Sequence, residues 1–261
     1  LSGDYGRVDK KNANKVINEC IKKKFLEFDT APTYGKGVAD KLLSKFKKKN
    51  NEIKINTKCG YDMSFKKTFN LKDIKNSIDK SLKLYGNLNC VYLHNPRNEI
   101  KDWNKIIKVL EDYKKKMLIK KIGISLAKDF FFKNNIINKF DVVMDEFNLL
   151  RTNNIDRINK INSEFIVRSV FANGLLAKKK ITKLKLTGND QRKNWLNKER
   201  AECIEKQIQY IKEKFLIDLR ILSLSLILTL NKFDKMIIGV KNVYQVRWLA
   251  DNLKNIKKLK K

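Results

Sequence analysis

Four residues in the first part of the chain could together protonate a carbonyl oxygen: Asp29, Tyr34, Lys58 and His94. A phenol has a reference pKa of about 10, so it is a weak acid at neutral pH unless its surroundings assist it. A neighbouring ammonium stabilises the phenolate, and a carboxylate can hold that ammonium in place. A neutral imidazole can hydrogen-bond the substrate oxygen. These residue types therefore predict acid–base chemistry on a carbonyl group.

Each of the four residues lies at or just after the end of a short apolar run that is typical of a buried strand. Such runs alternate along the chain with amphipathic segments, one of which begins after Asn70, a residue that can cap a helix. We expect seven strand–helix repeats, the last of whose strands covers Met236 to Val240. With no linker composition between them, the repeats predict a single α/β domain over residues 1–261, a (β/α)8 TIM barrel.

The first predicted helix begins near Asp9, so we expect most of the first barrel strand to be missing at the N-terminus. A doubly wound sheet is the alternative fold, but no GxGxxG motif follows any predicted strand. In a barrel, working residues lie at the carboxyl ends of the strands. Four further residues at such ends, Ser125, Met144, Ser169 and Lys241, join the candidates.

The formal net charge of +31 raises the possibility of a nucleic-acid partner. Only nine of the 59 basic residues are Arg, however, and the Lys residues are spread along the whole chain. Nucleic-acid modules rely on Arg to contact bases and phosphates. We therefore interpret the charge as a Lys-rich, solvated surface that favours anionic ligands, and we expect no nucleic-acid partner.

Cysteine spacing and hydropathy exclude several other classes of protein. The four cysteines, Cys20, Cys59, Cys90 and Cys203, have no CxxC spacing, and a single His accompanies them. Neither a metal site nor a disulfide framework is predicted. The most apolar run, residues 216–230, contains two charges and is too short to span a bilayer. We expect a cytoplasmic protein with no membrane partner; the sequence leaves its oligomeric state open.

Several motifs occur in an order that resembles the aldo-keto reductase family over nearly the whole chain. Phe28 to Gly35 reads FDTAPTYG and is similar to the family's FDTAxxYG motif, while Leu93 to Pro96 is similar to its LHxP segment. Lys121 to Ser125 resembles the KxGVS strand. The other matching segments are Asn56–Lys58, Arg168–Ser169, Gly174–Leu176 and Ile238–Asn242.

The resemblance implies a mechanism and a cofactor. A nicotinamide would transfer hydride to the carbonyl carbon of a small aldehyde or ketone while Tyr34 protonates the oxygen. Lys58 would assist Tyr34, Asp29 would hold Lys58, and His94 would orient the carbonyl. The implied cofactor-binding residues are Ser125, Met144, Arg168, Ser169, Gly174, Leu175, Lys241, Asn242 and Arg247.

The cofactor is expected to be NADPH, because Lys241, Asn242 and Arg247 match family positions that hold the 2′-phosphate of adenosine. NADH is the less favoured cofactor; the alternative interpretation of these residues is that Lys and Arg near a helix start are ordinary surface charges. Asp190 and Arg192, in a long loop, are candidates to close over the pyrophosphate. Tyr61, Asp62 and Trp195 are candidates to shape the substrate pocket.

Three departures from the family concern the cofactor contacts. Leu126 and Met144 stand where the family usually has Asn and Gln, whose side chains hold the carboxamide. Arg168 stands where the family has a Tyr that stacks on the nicotinamide, although a guanidinium can also stack. All four acid–base residues of the family, in contrast, are present. The alternative function is therefore a cofactor-sensing, regulatory or low-activity subunit of the same family.

Overall fold

The structure is a computed structural model that describes residues 9–97, 99–127, 134–186, 188 and 190–259. Strands and helices alternate along these residues. The strands are β1 (Glu27–Asp29), β2 (Lys54–Cys59), β3 (Leu88–His94), β4 (Ile119–Ser125), β5 (Val142–Glu146), β6 (Glu164–Arg168) and β7 (Lys235–Met236). The helices are α1 (Lys10–Lys22), α2 (Val38–Lys47), α3 (Leu71–Tyr85), α4 (Trp103–Lys115), α5 (Asn134–Ile137), α6 (Ile155–Asn159), α7 (Lys198–Phe215), α8 (Leu219–Thr229) and α9 (Val243–Leu259). Two 3-10 helices, Ala172–Ala177 and Gln191–Asn194, lie between β6 and α7.

The seven strands follow one another in a single sheet in the order of the chain, from β1 to β7. Strands β1 to β5 pair in parallel, as strands joined by helical crossovers must. The predicted alternation of seven strands with helices is confirmed. The expectation of a missing first strand falls on residues 1–8, which lie outside the described residues.

Element boundaries differ from the sequence prediction at the last strand. We predicted a strand from Met236 to Val240, but β7 covers only Lys235–Met236. The apolar run that begins at Met236 resembles a buried strand in the sequence, yet residues 236–238 are only half-buried in the structure. Beyond Met236, the Ile237 amide donates to the Val167 carbonyl at 2.8 Å without extending the strand. The predicted cap of α3 is confirmed, because the Asn70 side chain accepts from the Asp73 amide at 2.8 Å.

Contacts divide the described residues into two compact units. The first unit covers residues 20–145 and 160–166. Its core consists of β2, β3 and β4 residues packed against α3 and α4, including Ile55, Leu93, Ile78 and Leu110, all at most 1% exposed. In this unit Gly123 allows the Tyr92 ring to cross β4, because a Cβ at position 123 would lie 2.5 Å from that ring.

The second unit covers residues 9–19, 146–159 and 167–259. One of its apolar clusters joins the first 3-10 helix to α7 and α8 and includes Leu175, Leu176, Ile208 and Leu219. Trp195, a predicted pocket residue, packs against this cluster. None of the helices formed by the described residues has both the length and the apolar character needed to cross a membrane.

Candidate active site

The candidate acid–base residues of the first unit lie at the carboxyl ends of neighbouring parallel strands. Asp29 and His94 are the last residues of β1 and β3, and Lys58 is the penultimate residue of β2. Lys58 pairs in register with Tyr92, two residues before His94, and Asp29 pairs with Asn56, two residues before Lys58. Since alternate residues of a strand face the same side of the sheet, Asp29, Lys58 and His94 share one face.

Lys58 is buried, with 2% of its surface exposed, and its ammonium is held by oxygen atoms. It donates to Asp29 Oδ1 in a short ion pair and to the Thr30 carbonyl at 3.0 Å. It also lies 4.8 Å from the centre of the Tyr34 ring. Burial lowers the pKa of Lys58, but the charges of Asp29 and Tyr34 and its hydrogen bonds to them outweigh this and raise the pKa above its ordinary value. Lys58 is therefore a cation at physiological pH.

Tyr34 lies beside this ammonium, and its ring in turn lies near the ring of His94. The Tyr34 amide donates to the Ala31 carbonyl at 2.9 Å, in the turn that follows β1. The Tyr34 and His94 ring centres are 6.2 Å apart in an edge-to-face arrangement, and the Tyr61 and His94 ring centres are 5.3 Å apart. Burial and the charges of Tyr34 and Glu99 raise the pKa of Tyr61, which stays a neutral phenol at physiological pH.

A buried hydrogen-bonded network that the sequence reasoning missed supports the segment next to Lys58. Thr30 Oγ1 donates to Asp40 Oδ1 at 2.8 Å, and the Tyr85 hydroxyl donates to the same oxygen at 2.8 Å. Thr30 is the residue whose carbonyl accepts from Lys58. Asp40 and Tyr85, on α2 and α3, therefore fix the acceptor that helps to hold the ammonium.

Two predicted cofactor residues of the first unit, Ser125 and Met144, are paired in register on β4 and β5. Ser125 and Met144 are each 1% exposed, and Leu126, which follows Ser125, is 2% exposed. In the orientation that satisfies both atoms of its amide, Asn95 donates to Ser125 Oγ at 3.1 Å and to the Leu126 carbonyl at 3.2 Å. An amide at position 95, which the sequence reasoning did not consider, is thus in contact with Ser125.

A shallow surface depression lies beside Tyr61 in the first unit. Tyr61, Asp62, Met63 and Pro32 contribute to its lining. The Asp62 carboxylate shapes the loop by accepting from the backbone amides of Ser64 at 2.8 Å and Lys66 at 2.9 Å. Of the three predicted pocket residues, Tyr61 and Asp62 therefore line this depression, and Tyr61 also touches His94.

In the second unit, Arg168 and Ser169 follow one another at the end of β6. An Arg168 Nη1 atom lies 3.8 Å from Glu146 Oε2, a partner that the sequence did not suggest. Asn148 Nδ2 lies 3.4 Å from Glu146 Oε1 and donates to the Ser169 carbonyl at 3.0 Å. Ser169 has a positive φ of 57°, so the chain turns sharply at this point.

Gly174 and Leu175 lie in the first 3-10 helix of the second unit. Gly174 has φ +83°, which suits glycine, and Leu175 is a core residue with 2% exposure. The Arg192 guanidinium donates to the neighbouring Asn173 carbonyl at 3.3 Å. It also forms a two-point contact with Asp190, at 2.9 and 2.6 Å, and hydrogen bonding from Arg192 holds the pKa of Asp190 below its ordinary value.

Lys241, Asn242 and Arg247 are all exposed and surround the start of α9. The Asn242 side chain accepts from the Gln245 amide at 2.9 Å, and the Lys241 amide donates to Gln245 Oε1 at 2.6 Å. Arg247 forms an ion pair with Glu19 of α1, with Nε 2.7 Å from Oε1. The structure thus places the three predicted residues near one helix terminus, with Arg247 already bound to a carboxylate.

The charges around Lys241 fit an anionic ligand. Although Lys241 is exposed, the groups around its ammonium partly desolvate it and so lower its pKa; the neighbouring positive charges of Arg192 and Lys178 lower the pKa as well, while Asp190 opposes them. The potential at Lys241 is therefore positive on balance, although Arg192 is itself paired with Asp190. Among the described residues, no group of His, Cys, Asp and Glu side chains could hold a metal ion.

The residues that the sequence reasoning missed are partners from distant parts of the chain. Glu19 lies 228 positions from Arg247, and Tyr85 lies 45 positions from Asp40. Neither belongs to a recognisable motif. The one sequence signal for Asp40 and Tyr85 is that each falls on the apolar face of a helix, where an acidic or hydroxyl side chain needs a buried partner.

Comparisons with known proteins agree in family and fold. A sequence model described as the aldo/keto reductase family matches residues 1–260. An aldo-keto reductase from Bacillus halodurans, solved in its holo form, is 18% identical with a TM-score of 0.77, covering 99% of this chain and 90% of that chain. A glycerol dehydrogenase from Gluconobacter oxydans is 17% identical with a TM-score of 0.73, covering 98% and 88%. No curated protein matches. The predicted barrel fold class is confirmed by these structural likenesses.

Proposed function

The chain belongs to the aldo-keto reductase family, and from this premise we propose that it reduces an aldehyde or ketone to an alcohol with NADPH. Membership makes it an oxidoreductase of the aldo-keto reductase type; the cofactor, the reaction direction and the residue roles are our proposal. The observation that carries the proposal is the buried ammonium of Lys58, which contacts both Asp29 and the Tyr34 ring.

Tyr34 is the proposed general acid. Its hydroxyl gives a proton to the carbonyl oxygen and becomes a phenolate, and the adjacent Lys58 ammonium stabilises that negative charge. In a buried site such an interaction is stronger than in water, because the local dielectric constant is lower. Asp29 keeps Lys58 in position through their ion pair. The nicotinamide, when bound, supplies the hydride that the carbonyl carbon receives.

His94 is proposed to orient the carbonyl group. It is 8% exposed, and its ring is enclosed by the edges of Tyr34 and Tyr61. An imidazole held in this way can donate a hydrogen bond to the same oxygen that Tyr34 protonates, so the oxygen is fixed before proton transfer. A small-molecule carbonyl compound is the proposed substrate, and the cytoplasm is the proposed location.

The proposed cofactor residues comprise Ser125 and Met144 of the first unit and seven residues of the second. Those of the second unit are Arg168, Ser169, Gly174, Leu175, Lys241, Asn242 and Arg247. Lys241, an exposed ammonium with Arg192 and Lys178 near enough to lower its pKa, is proposed to supply positive charge to the cofactor phosphates; Arg192 itself is paired with Asp190. Arg168 offers a guanidinium plane on which an aromatic ring can stack.

A regulatory, low-activity role is the second candidate, and the burial of Leu126 and Met144 favours it. Both side chains are at most 2% exposed and apolar, so neither can hydrogen-bond a carboxamide. A weakly oriented nicotinamide would slow hydride transfer. Such a protein would bind NADPH and report its presence with little turnover.

The test measures NADPH binding by fluorescence titration and NADPH oxidation with a panel of aldehydes. The wild-type protein, Tyr34→Phe and Tyr210→Phe are compared; Tyr210 is an exposed residue of α7 and serves as the matched control. We expect wild type and Tyr210→Phe to oxidise NADPH, and Tyr34→Phe to bind it but lose about 100-fold or more in rate. Binding without turnover in the wild type would instead support the regulatory role. Failure to bind either NADPH or NADH would refute the cofactor assignment.

A further inference from the structure

Arg247, the guanidinium proposed to hold the 2′-phosphate of NADPH, has an internal partner in the second unit. Its Nε donates to Glu19 Oε1 at 2.7 Å and its Nη2 donates to Glu19 Oε2 at 3.4 Å. This fork-to-carboxylate geometry is the strong form of an arginine ion pair. The Glu19 side chain is 10% exposed and that of Arg247 is 58% exposed, so the carboxylate is nearly buried while the guanidinium still faces solvent.

Helix α1 is held beside the start of α9 by a second contact. Asn12 Nδ2 donates to the Lys241 carbonyl at 2.7 Å. Asn12 and Glu19 are seven residues apart, two turns of α1, so they lie on the same face of the helix. Two polar contacts from that face therefore reach the predicted 2′-phosphate residues Lys241 and Arg247. The position of Glu19 is set by the docking of α1 and does not depend on a flexible surface side chain alone.

The consequence is a competition for one guanidinium. A 2′-phosphate dianion would be attracted to Arg247, but the Glu19 carboxylate already neutralises that charge and repels a second anion. NADPH must share the guanidinium with Glu19 or displace it, whereas the 2′-hydroxyl of NADH needs no cation. A carboxylate near an adenosine ribose is also a common means of accepting a 2′-hydroxyl.

We propose that Glu19 is a specificity-determining residue that reduces the preference of this chain for NADPH, so that NADPH and NADH bind with similar affinity. The inference rests on the proposed function, since it takes Arg247 as a residue that faces the adenosine end of the cofactor. The inference refines the prediction, drawn from the sequence, that NADPH is the cofactor, because that prediction considered Arg247 without its partner Glu19.

The experiment compares dissociation constants at low ionic strength for NADPH and NADH, measured by fluorescence titration of the full chain. Dissociation constants are also measured for adenosine 2′,5′-bisphosphate and 5′-AMP, which differ from each other in the 2′-phosphate and contain no nicotinamide. Variants are Glu19→Gln and, as a matched control, Glu111→Gln, an exposed position on α4 in the first unit. The control corrects for the general effect of removing one negative charge.

In the wild type we expect the NADPH and NADH constants to agree within about threefold. Glu19→Gln should bind NADPH and adenosine 2′,5′-bisphosphate about two- to fivefold more tightly, the range for releasing one partly exposed ion pair. NADH and 5′-AMP should change by less than about twofold, a shift smaller than one such pair supplies. Glu111→Gln should leave the NADPH-to-NADH ratio unchanged.

A second variant keeps the inference testable if Glu19→Gln folds poorly. Arg247→Gln leaves the Glu19 carboxylate without its cation, so it should weaken NADPH binding and spare NADH binding, whereas the double variant Glu19→Gln/Arg247→Gln, which removes both charges, should restore the wild-type ratio within about threefold. A wild-type preference for NADPH above about 30-fold, more than one exposed ion pair can offset, would overturn the inference while supporting the proposed function. So would an unchanged ratio in Glu19→Gln. Absence of binding by both dinucleotides would overturn the proposed function itself, and this inference with it.

Discussion

The ammonium of Lys58 in the first unit and the guanidinium of Arg247 in the second lie in contrasting environments. In the first, Lys58 is 2% exposed and contacts Asp29, Thr30 and the Tyr34 ring. In the second, Arg247 is 58% exposed and Arg168 is 24% exposed. Each of these two arginines lies beside a carboxylate of its own unit, Glu19 or Glu146. Lys58 and Asp29 thus form a nearly buried pair, whereas Lys241, Asn242 and Arg247 face solvent.

The difference has an energetic meaning. Removing one partner of a buried ion pair leaves an uncompensated charge and costs about 3–5 kcal/mol, whereas an exposed pair contributes about 0–1 kcal/mol. A substitution in the buried set therefore threatens folding as well as chemistry, while one in the exposed set mainly shifts affinity. The pairing of Arg247 with Glu19 is of the second kind, because its guanidinium is 58% exposed; the Arg168–Glu146 contact, with side chains 24% and 12% exposed, lies between the two kinds.

Replacing Lys58 tests the buried set most severely and should give the largest effect. We expect Lys58→Met to lower kcat by about 100- to 10,000-fold, since it removes the cation that stabilises the Tyr34 phenolate. It should also reduce the free energy of unfolding by about 3 kcal/mol, because Asp29 loses its partner. Steady-state kinetics and urea denaturation measure the two effects.

The double variant Asp29→Asn/Lys58→Met separates these two consequences. It removes both charges, so stability should largely return while kcat stays low. Recovery of activity together with stability would show that the pair has a structural role only. A Lys58→Met protein with unchanged kcat would contradict the proposed proton chemistry and with it the contrast between the two units.

An intermediate effect is expected at Thr30, which links Lys58 to the buried network of Asp40 and Tyr85. Thr30→Val removes the hydroxyl that donates to Asp40 while keeping the side-chain volume. We expect kcat to fall about tenfold through displacement of the Thr30 carbonyl, with little change in KM. Thr30→Ser keeps the hydroxyl and should retain activity. Equal losses in Val and Ser variants would show that side-chain packing, not the hydrogen bond, matters at this position.

The smallest expected effects are on the dependence of stability on pH, which should differ between the units. Hydrogen bonding from Arg192 lowers the pKa of Asp190, so its contribution to stability is present above the ordinary carboxyl pKa and is lost as pH falls through the lowered value. The pKa of Lys58 is raised, so its contribution is present below the ordinary Lys pKa and is lost as pH rises through the raised value.

Urea denaturation at a series of pH values measures the loss of folding stability at both the acidic and the alkaline end of the range. Asp190→Asn should flatten the loss of stability only at the acidic end, below pH about 4. Lys58→Met should flatten it only at the alkaline end, above pH about 10.4. If either substitution altered the opposite end, the two regions would not be electrostatically independent, and the comparison would have to be revised.

The sequence was sufficient for the strand ends that carry the acid–base set. Asp29, Lys58 and His94 follow short apolar runs, and the period of a parallel sheet then brings them to one face. The cap at Asn70 was also predictable, because its acceptor and the Asp73 amide are local in sequence. The prediction that residues 1–261 form a single domain stays a prediction.

The partners of the charged residues could not be predicted, because they depend on how helices pack. Glu19 meets Arg247 only when α1 lies along α9, and Glu146 meets Arg168 through neighbouring strand ends. That β7 would be so short could not be predicted for a related reason. An apolar run such as Met236–Ile238 indicates burial, but whether it is buried depends on what packs over it.

The most direct test of the central claim follows deuterium from the cofactor into the product. NADPH deuterated at C4 of the nicotinamide, as separate samples of each stereoisomer, is incubated with an aldehyde and the full chain, and the alcohol is analysed by mass spectrometry. We predict an alcohol carrying one deuterium with one of the two samples, formed by the wild type and Tyr210→Phe and not at a comparable rate by Tyr34→Phe. Unlabelled alcohol from both samples, or labelled alcohol formed equally fast by Tyr34→Phe, would contradict the account.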